Sequence, residues 1–359
     1  MKKSLKAPAI VSGAVVLAMV VLLVDLLRFS GTFHAFNPGF AGTCAAVSTA
    51  GSSEDIQVDA QRGLAYLSVL DRASLARHEP VDGTVMLLDL NLAVPAPRAA
   101  MAYDPPGFRP HGLSIFTRSG EPARLFAISH RPDGSHTVEI AEQDANGAFV
   151  PTESISDATF VSPNAVAGAG PRQFYVANDS AGRTGLADLV FRRAASTLVY
   201  YDGIQAHVAV RALKFTAGLA LAPDGTRLYV GEALGKQLRV YRRNLATGDL
   251  DLDEVVPLGS APDNLKVDAD GVLWIAAHPK LLAFAAHVRD PGRRAPTLVL
   301  RFDPRGPKPA AGAADLRLSQ VYGDDGTQLS AGTAAAHWHD EFLVGALFDS
   351  KVLICKPSP

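Results

Sequence analysis

The feature that most constrains this chain is a short apolar strand following a turn, which occurs six times: Gly63-Leu64-Ala65-Tyr66-Leu67, Arg124-Leu125-Phe126-Ala127-Ile128, Gln173-Phe174-Tyr175-Val176-Ala177, Arg227-Leu228-Tyr229-Val230-Gly231, Val272-Leu273-Trp274-Ile275-Ala276 and Glu341-Phe342-Leu343-Val344-Gly345. The intervals are irregular and average in the fifties. Second strands are expected at 84–89, 137–141, 197–201, 237–242, 281–285 and 351–355. Each unit therefore reads as an antiparallel meander.

Units of that size, made of several strands and lacking a helical stripe, imply an all-β fold in which four-stranded sheets surround a central channel: a six-bladed β-propeller. A large sandwich is the alternative. The 31 Gly and 24 Pro are scattered, which suits many short strands and tight turns better than long helices. The stretch 260–279 shows what one unit carries. Asp263 and Asn264 precede the alternating residues Leu265 and Val267, an Asp270-Gly271 turn and the apolar strand from Val272. Adjacent side-chain oxygens where a strand begins suit a hard cation such as Ca²⁺, although Asp-Asn pairs also cap turns.

Residues 1–29 form a separate element. Lys2, Lys3 and Lys6 precede an uncharged, mostly apolar run over 7–24, about 27 Å long as a helix, with Asp25 and Arg28 at its far end. No small-residue cleavage site follows in Leu26-Leu27-Arg28-Phe29, so the expectation is an uncleaved N-terminal transmembrane helix rather than a removed signal. Residues 30–43 then read as a linker and 44–359 as the propeller, on the non-cytoplasmic side. If the segment were cleaved, the protein would be secreted. With a net charge of −2 and no basic tail, there is no electrostatic reason to expect nucleic acid as a partner.

The two cysteines, Cys44 and Cys355, stand at opposite ends of the propeller segment. They read either as one bridge closing the ring in an oxidising compartment or as two separate buried thiols, and their terminal placement favours the bridge.

Polar residues recur beside the strands: Glu54-Asp55, His111-Gly112, His130, Asn164, Asn178-Asp179, Asp263-Asn264 and His278. Singly, each suits a turn or a loop. Together, at equivalent places around one channel mouth, carboxylates and amides would stay unpaired without a cation.

These residues also carry a resemblance. Ser53-Glu54-Asp55-Ile56, Arg109-Pro110-His111-Gly112-Leu113-Ser114, Gly170-Pro171 through Asn178-Asp179, Ala222-Pro223-Asp224-Gly225 to Glu232, Pro262-Asp263-Asn264 and Ala277-His278-Pro279, in this order, resemble the serum paraoxonase/arylesterase family from about Cys44 to Cys355. The resemblance implies a six-bladed, calcium-dependent esterase or lactonase with a disulfide joining its ends and a small-molecule ester or lactone as substrate. It implies that Glu54, Asn164, Asp263 and Asn264 hold a catalytic calcium, that His111 and His130 activate water, and that Asp55 and the Leu113 carbonyl hold a second, structural calcium. Asn178, Asp179 and His278 would support the site from close by.

Two departures stand out. Phe215-Thr216-Ala217-Gly218 places Ala217 where the family has a calcium-binding asparagine, and Ala165 follows Asn164 where the family has an aspartate for the structural ion. There is no Gly-x-Ser-x-Gly elbow, phosphate-binding glycine loop, Cys-x-x-Cys or His-Glu-x-x-His. The expectation is calcium-dependent hydrolysis of aryl esters or lactones. The rival reading is a non-catalytic propeller that binds a ligand or partner, which the missing ligand at Ala217 would permit. A strictosidine-synthase-like enzyme is disfavoured by His111, His130 and Asp263-Asn264.

Overall fold

The computed structural model describes residues 6–182, 186–310 and 312–358. The chain enters through α1 (Lys6–Phe29) and β1 (Gly42–Ser48). Blade one follows as β2 (Ser52–Asp59), β3 (Leu64–Leu70), α2 (Arg72–Ala76), β4 (Thr84–Asp89) and β5 (Arg98–Ala99). Blade two is β6 (Pro110–Phe116), β7 (Arg124–His130), β8 (His136–Gln143) and β9 (Phe149–Ile155). Blade three is β10 (Pro163–Gly168), β11 (Phe174–Asn178), α3 (Leu186–Phe191), β12 (Ser196–Tyr201) and β13 (Ala206–Leu213). Blade four is β14 (Thr216–Leu221), β15 (Arg227–Glu232), β16 (Gln237–Arg243) and β17 (Leu250–Pro257). Blade five is β18 (Ala261–Val267), β19 (Leu273–His278), α4 (Leu281–Arg289), β20 (Thr297–Phe302) and β21 (Leu318–Asp324), and the chain closes with β22 (Gly332–Trp338), β23 (Glu341–Ala346) and β24 (Lys351–Pro357).

Six four-stranded antiparallel sheets result, as expected for the propeller. The sixth has the order β1-β24-β23-β22, so the first strand of the propeller joins the last blade. Cys44 and Cys355 face each other in that pairing and form a disulfide, with Cα atoms 4.0 Å apart and a sequence separation of 311. The bridge thus lies within the sixth blade rather than between the last blade and the first. Closing so long a loop contributes about 5–6 kcal/mol on the chain-entropy account, and the bond fits an extracytoplasmic location.

Second strands of the blades are packed between neighbouring sheets, and β11 and β19 are buried along their whole length. Continuous apolar runs are the consequence. The core is accordingly a series of layers between blades. Tyr66, Leu87, Phe108 and Phe149 fill the gap between blades one and two, and Tyr229, Leu265, Ile275 and Phe302 that between four and five. Each fully buried side chain of this kind contributes about 1.5–3 kcal/mol.

Two expectations are corrected. The strand expected at 281–285 is the start of helix α4, and the strand that pairs with β19 is β20. The segment Leu281-Leu282-Ala283-Phe284-Ala285-Ala286 is rich in strong helix formers, and a short apolar run does not reveal its own period.

The expected transmembrane helix is not supported either: among the described residues, no helix is long and apolar enough to cross a membrane. The apolar run of α1 continues to Val24. It ends where Asp25 pairs with Arg192, whose guanidinium lies 4.6 Å from the centre of the Phe29 ring. Membrane contact through 7–24 loses its support with it, and Lys2 and Lys3 lie outside the described residues. The segment 30–43 is also held to the propeller, through Lys280 Nζ donating to the Gly31 carbonyl at 2.7 Å and the Phe40 ring packed against Tyr322 and Phe342.

Candidate functional site

The innermost strand of every blade breaks register at the same height. The shifts fall between Ser53 and Ile56, Pro110 and Leu113, Pro163 and Ala165, Thr216 and Gly218, Pro262 and Leu265, and Gly332 and Ala334. A bulge of this kind adds a residue to one strand and re-aims a side chain. Here the bulges hold Glu54-Asp55, His111-Gly112, Asn164, Ala217, Asp263-Asn264 and Thr333. The packing at this height also demands glycine: a Cβ on Gly112 would lie 2.6 Å from the Asn164 carbonyl oxygen, and one on Gly218 2.3 Å from that of Asp263.

At the mouth, the structure brings the expected residues together. Glu54 is 2% exposed, and its Oε1 accepts from Asn264 Nδ2 at 3.0 Å and lies 3.4 Å from His111 Nε2. Its Oε2 and the Asn164 Oδ1 are buried without a hydrogen-bond partner. Asp263 Oδ2 meets His278 Nε2 at 2.8 Å, and the His278 ring stacks on Phe284. Thr333 Oγ1 donates to the Glu54 backbone carbonyl at 2.8 Å. Buried Arg72 anchors α2 to both adjoining strands, donating to the Ser52 carbonyl at 3.2 Å and the Pro110 carbonyl at 2.6 Å.

The electrostatics follow from this crowding. Burial pushes the Glu54 carboxyl up, but the charge and hydrogen bond of His111, together with Arg72 and Asn264, outweigh it and hold the group at about 2. Burial pushes Asp263 up despite His278. His111 is raised because Glu54 overcomes its desolvation, whereas burial and the neighbouring His111, His136 and Arg72 take His130 well below its ordinary value.

His111 and His130 pack edge to face with ring centres 5.0 Å apart. A third histidine continues the row, His130 Nδ1 lying 2.9 Å from His136 Nδ1. Asn178 is wholly buried and braces the neighbouring loop: its Oδ1 accepts from Ser162 N at 3.0 Å and its amide donates to Thr159 and Thr197. Asp179 accepts from Ser162 Oγ. Both therefore support the approach to Asn164 without entering the ring.

Below the mouth, Asp55 and the Leu113 carbonyl do come together, but around the ammonium of Lys266. Nζ lies 2.8 Å from Asp55 Oδ2 and 3.1 Å from the Leu113 oxygen. Above the mouth opens a cavity of about 500 Å³. Glu54, His111, Asn164, Asp263 and His278 bring polar groups to it, while Phe215, Leu234, Leu281, Phe284, Val288 and Leu347 give it apolar walls. Helix α4 supplies much of that wall.

Among the described residues, no group of three or more His, Cys, Asp or Glu side chains is placed to hold a metal ion. The oxygen set at the mouth is of another kind, two carboxylates with two amides. A hard cation accepts such donors, and the unpartnered oxygens of Glu54 and Asn164 fit one. Asn264 now turns its nitrogen toward Glu54, so it would offer its oxygen only after the amide turned over.

Sequence reasoning missed Arg72, Thr333, His136 and Lys266. Thr333 was within reach, since it precedes the last apolar strand as Glu54 and Asp263 precede theirs. Lys266, a lone charge between Leu265 and Val267, was a signal not used.

The sequence model of the arylesterase family matches residues 50–356. The chain is 29% identical to serum paraoxonase/arylesterase 1 of Rattus norvegicus, over 84% of its own length and 85% of that protein's. To serum paraoxonase/lactonase 3 of the same species it is 28% identical, over 85% of each. In fold it resembles a calcium-binding protein, regucalcin, from Agrobacterium tumefaciens, with a TM-score of 0.52 and 13% identity over 90% of this chain and 98% of that one.

Proposed function

The chain belongs to the arylesterase family, and from that premise we propose that it is a calcium-dependent hydrolase of aryl esters or lactones acting at the channel mouth. One observation carries this reading: the buried Glu54 Oε2 and Asn164 Oδ1 lack partners at the floor of an apolar cavity. Other buried polar atoms among the described residues also lack partners, but these two are acidic or amide oxygens from distant strands on the floor of one cavity, where a hard cation would satisfy both.

A calcium ion held by Glu54, Asn164, Asp263 and Asn264 would supply polarisation of the substrate carbonyl and a counter-charge for the oxygen on which negative charge develops. The chain's own residues do the rest. The apolar walls take the acyl or aryl part of a substrate and keep bulk water away from the ring. Glu54 raises His111, so a proton taken from water would rest there, while burial keeps His130 neutral against its ring. His136, which is only partly buried, holds the His130 ring in place through the contact of their Nδ1 atoms.

Ala217 favours a second reading, a propeller of this fold that binds a ligand without turning it over, because it leaves the ring one oxygen short. Hydrolysis of phenyl acetate and of an aliphatic lactone by the full-length chain separates the two. Turnover that disappears on chelation and returns with calcium is expected. No turnover in the presence of calcium would give the binding reading the field.

A further inference from the structure

We infer that Lys266 is a built-in cation, its ammonium occupying the axial position at which Asp55 and the Leu113 carbonyl would otherwise hold a second calcium. The first argument is that the donors are already spent. Asp55 Oδ1 accepts from Ile56 N at 2.8 Å, and Oδ2 accepts from Leu113 N at 2.7 Å as well as from Lys266 Nζ at 2.8 Å. The Leu113 carbonyl accepts from the same ammonium at 3.1 Å. A calcium ion asks for six to eight oxygens, and Ala165, next in the ring, brings only a methyl group.

Charge gives the second argument. The Lys266 side chain is 8% exposed and that of Asp55 1%, so the pair is shut away from water. One ammonium balances one carboxylate, whereas a divalent ion here would leave buried positive charge without a counterpart. Lysine also suits the task mechanically, being a compact charge with three donors on a flexible stem. It reaches the axis from the opposite mouth, where it lines a cavity of about 370 Å³ with Gln57 and Ser114.

The bonds join β18 to β2 and β6, tying blade five to blades one and two across the channel. An ion is therefore not needed for that link. The propeller should keep its axis when calcium is withdrawn.

Equilibrium dialysis with radioactive calcium tests this on the full-length chain and on Glu54→Ala, which dismantles the upper ring. The variant is expected to bind no calcium. One tightly held ion per variant chain, or two in the parent, would overturn the inference. A parent that binds none would instead end the proposed catalytic calcium and leave Lys266 in its place.

A thermal double-mutant cycle guards against a Glu54→Ala chain that fails to fold. Lys266→Met should lower the melting temperature by roughly 5–10 °C, in chelator and in calcium alike. Adding Asp55→Asn should recover more than half of that loss. Strictly additive losses would show that the pair does not exist.

Discussion

Glu54 and Asp55 are neighbours in one bulge of one strand, both almost completely buried, and they serve opposite ends of the channel in opposite ways. Asp55 faces a charge the chain supplies itself, and both its oxygens are bonded. Glu54 keeps one oxygen without a partner beside another on Asn164. Burying a carboxylate is costly unless it is paired. The lower position answers that cost with a lysine bonded to the carboxylate, and the upper one with His111, Arg72 and the Asn264 amide, which leave one Glu54 oxygen open to the cavity.

The comparison can be broken most forcefully from below. Lys266→Met strands Asp55 and should cost about 3–5 kcal/mol in urea unfolding, with kcat per folded molecule reduced far less than by a change in the ring. If activity fell as much as stability, the two ends would not be separate. From above, Glu54→Gln should lower kcat/KM for phenyl acetate by about a hundredfold or more and shift the urea midpoint only slightly. A large loss of stability with calcium binding intact would reverse the assignment.

Ala217→Asn sharpens the upper end. An added amide oxygen in the β14 bulge should tighten calcium binding about tenfold, roughly 1.4 kcal/mol by titration calorimetry. An unchanged isotherm would mean that this bulge does not face the ion.

The smallest effect concerns Asp268, at the lower face. Burial raises its carboxyl, but hydrogen bonds from His337 and Trp274 more than offset this and hold it below the ordinary value. A carboxyl lowered on folding stabilises above its unfolded value of about 3.9, and that gain fades as pH falls through the lower folded value. Asp268→Asn should therefore cost about 1 kcal/mol at pH 7, the gap to the parent closing below about pH 4. A gap independent of pH would place the loss in packing.

The sequence disclosed what does not depend on distant partners. Central strands such as β11 and β19 are apolar on both faces because blades stack on either side, and they stood out. Edge strands such as β17 alternate weakly against solvent and escaped notice. Glu54, His111, Asn164, Asp263 and Asn264 were legible as polar residues placed just ahead of apolar strands, with the family resemblance to order them. The pairing of Lys266 with Asp55 spans 211 residues and exists only once the ring closes. The apolar N-terminal run misled in the opposite direction, since hydropathy alone did not reveal that Asp25 would be drawn to Arg192.

Because β1 completes the sheet begun by β22, β23 and β24, the first propeller strand to leave the ribosome waits for the last. Blades one to five can be assembled during translation, but the nascent ring stays open with β1 unpaired until the codons for Lys351–Pro357 have been read. Contacts so remote in sequence form slowly. Termination before Lys351 would therefore release a chain with an exposed sheet edge and one free thiol, Cys44, well suited to capture by chaperones and oxidoreductases.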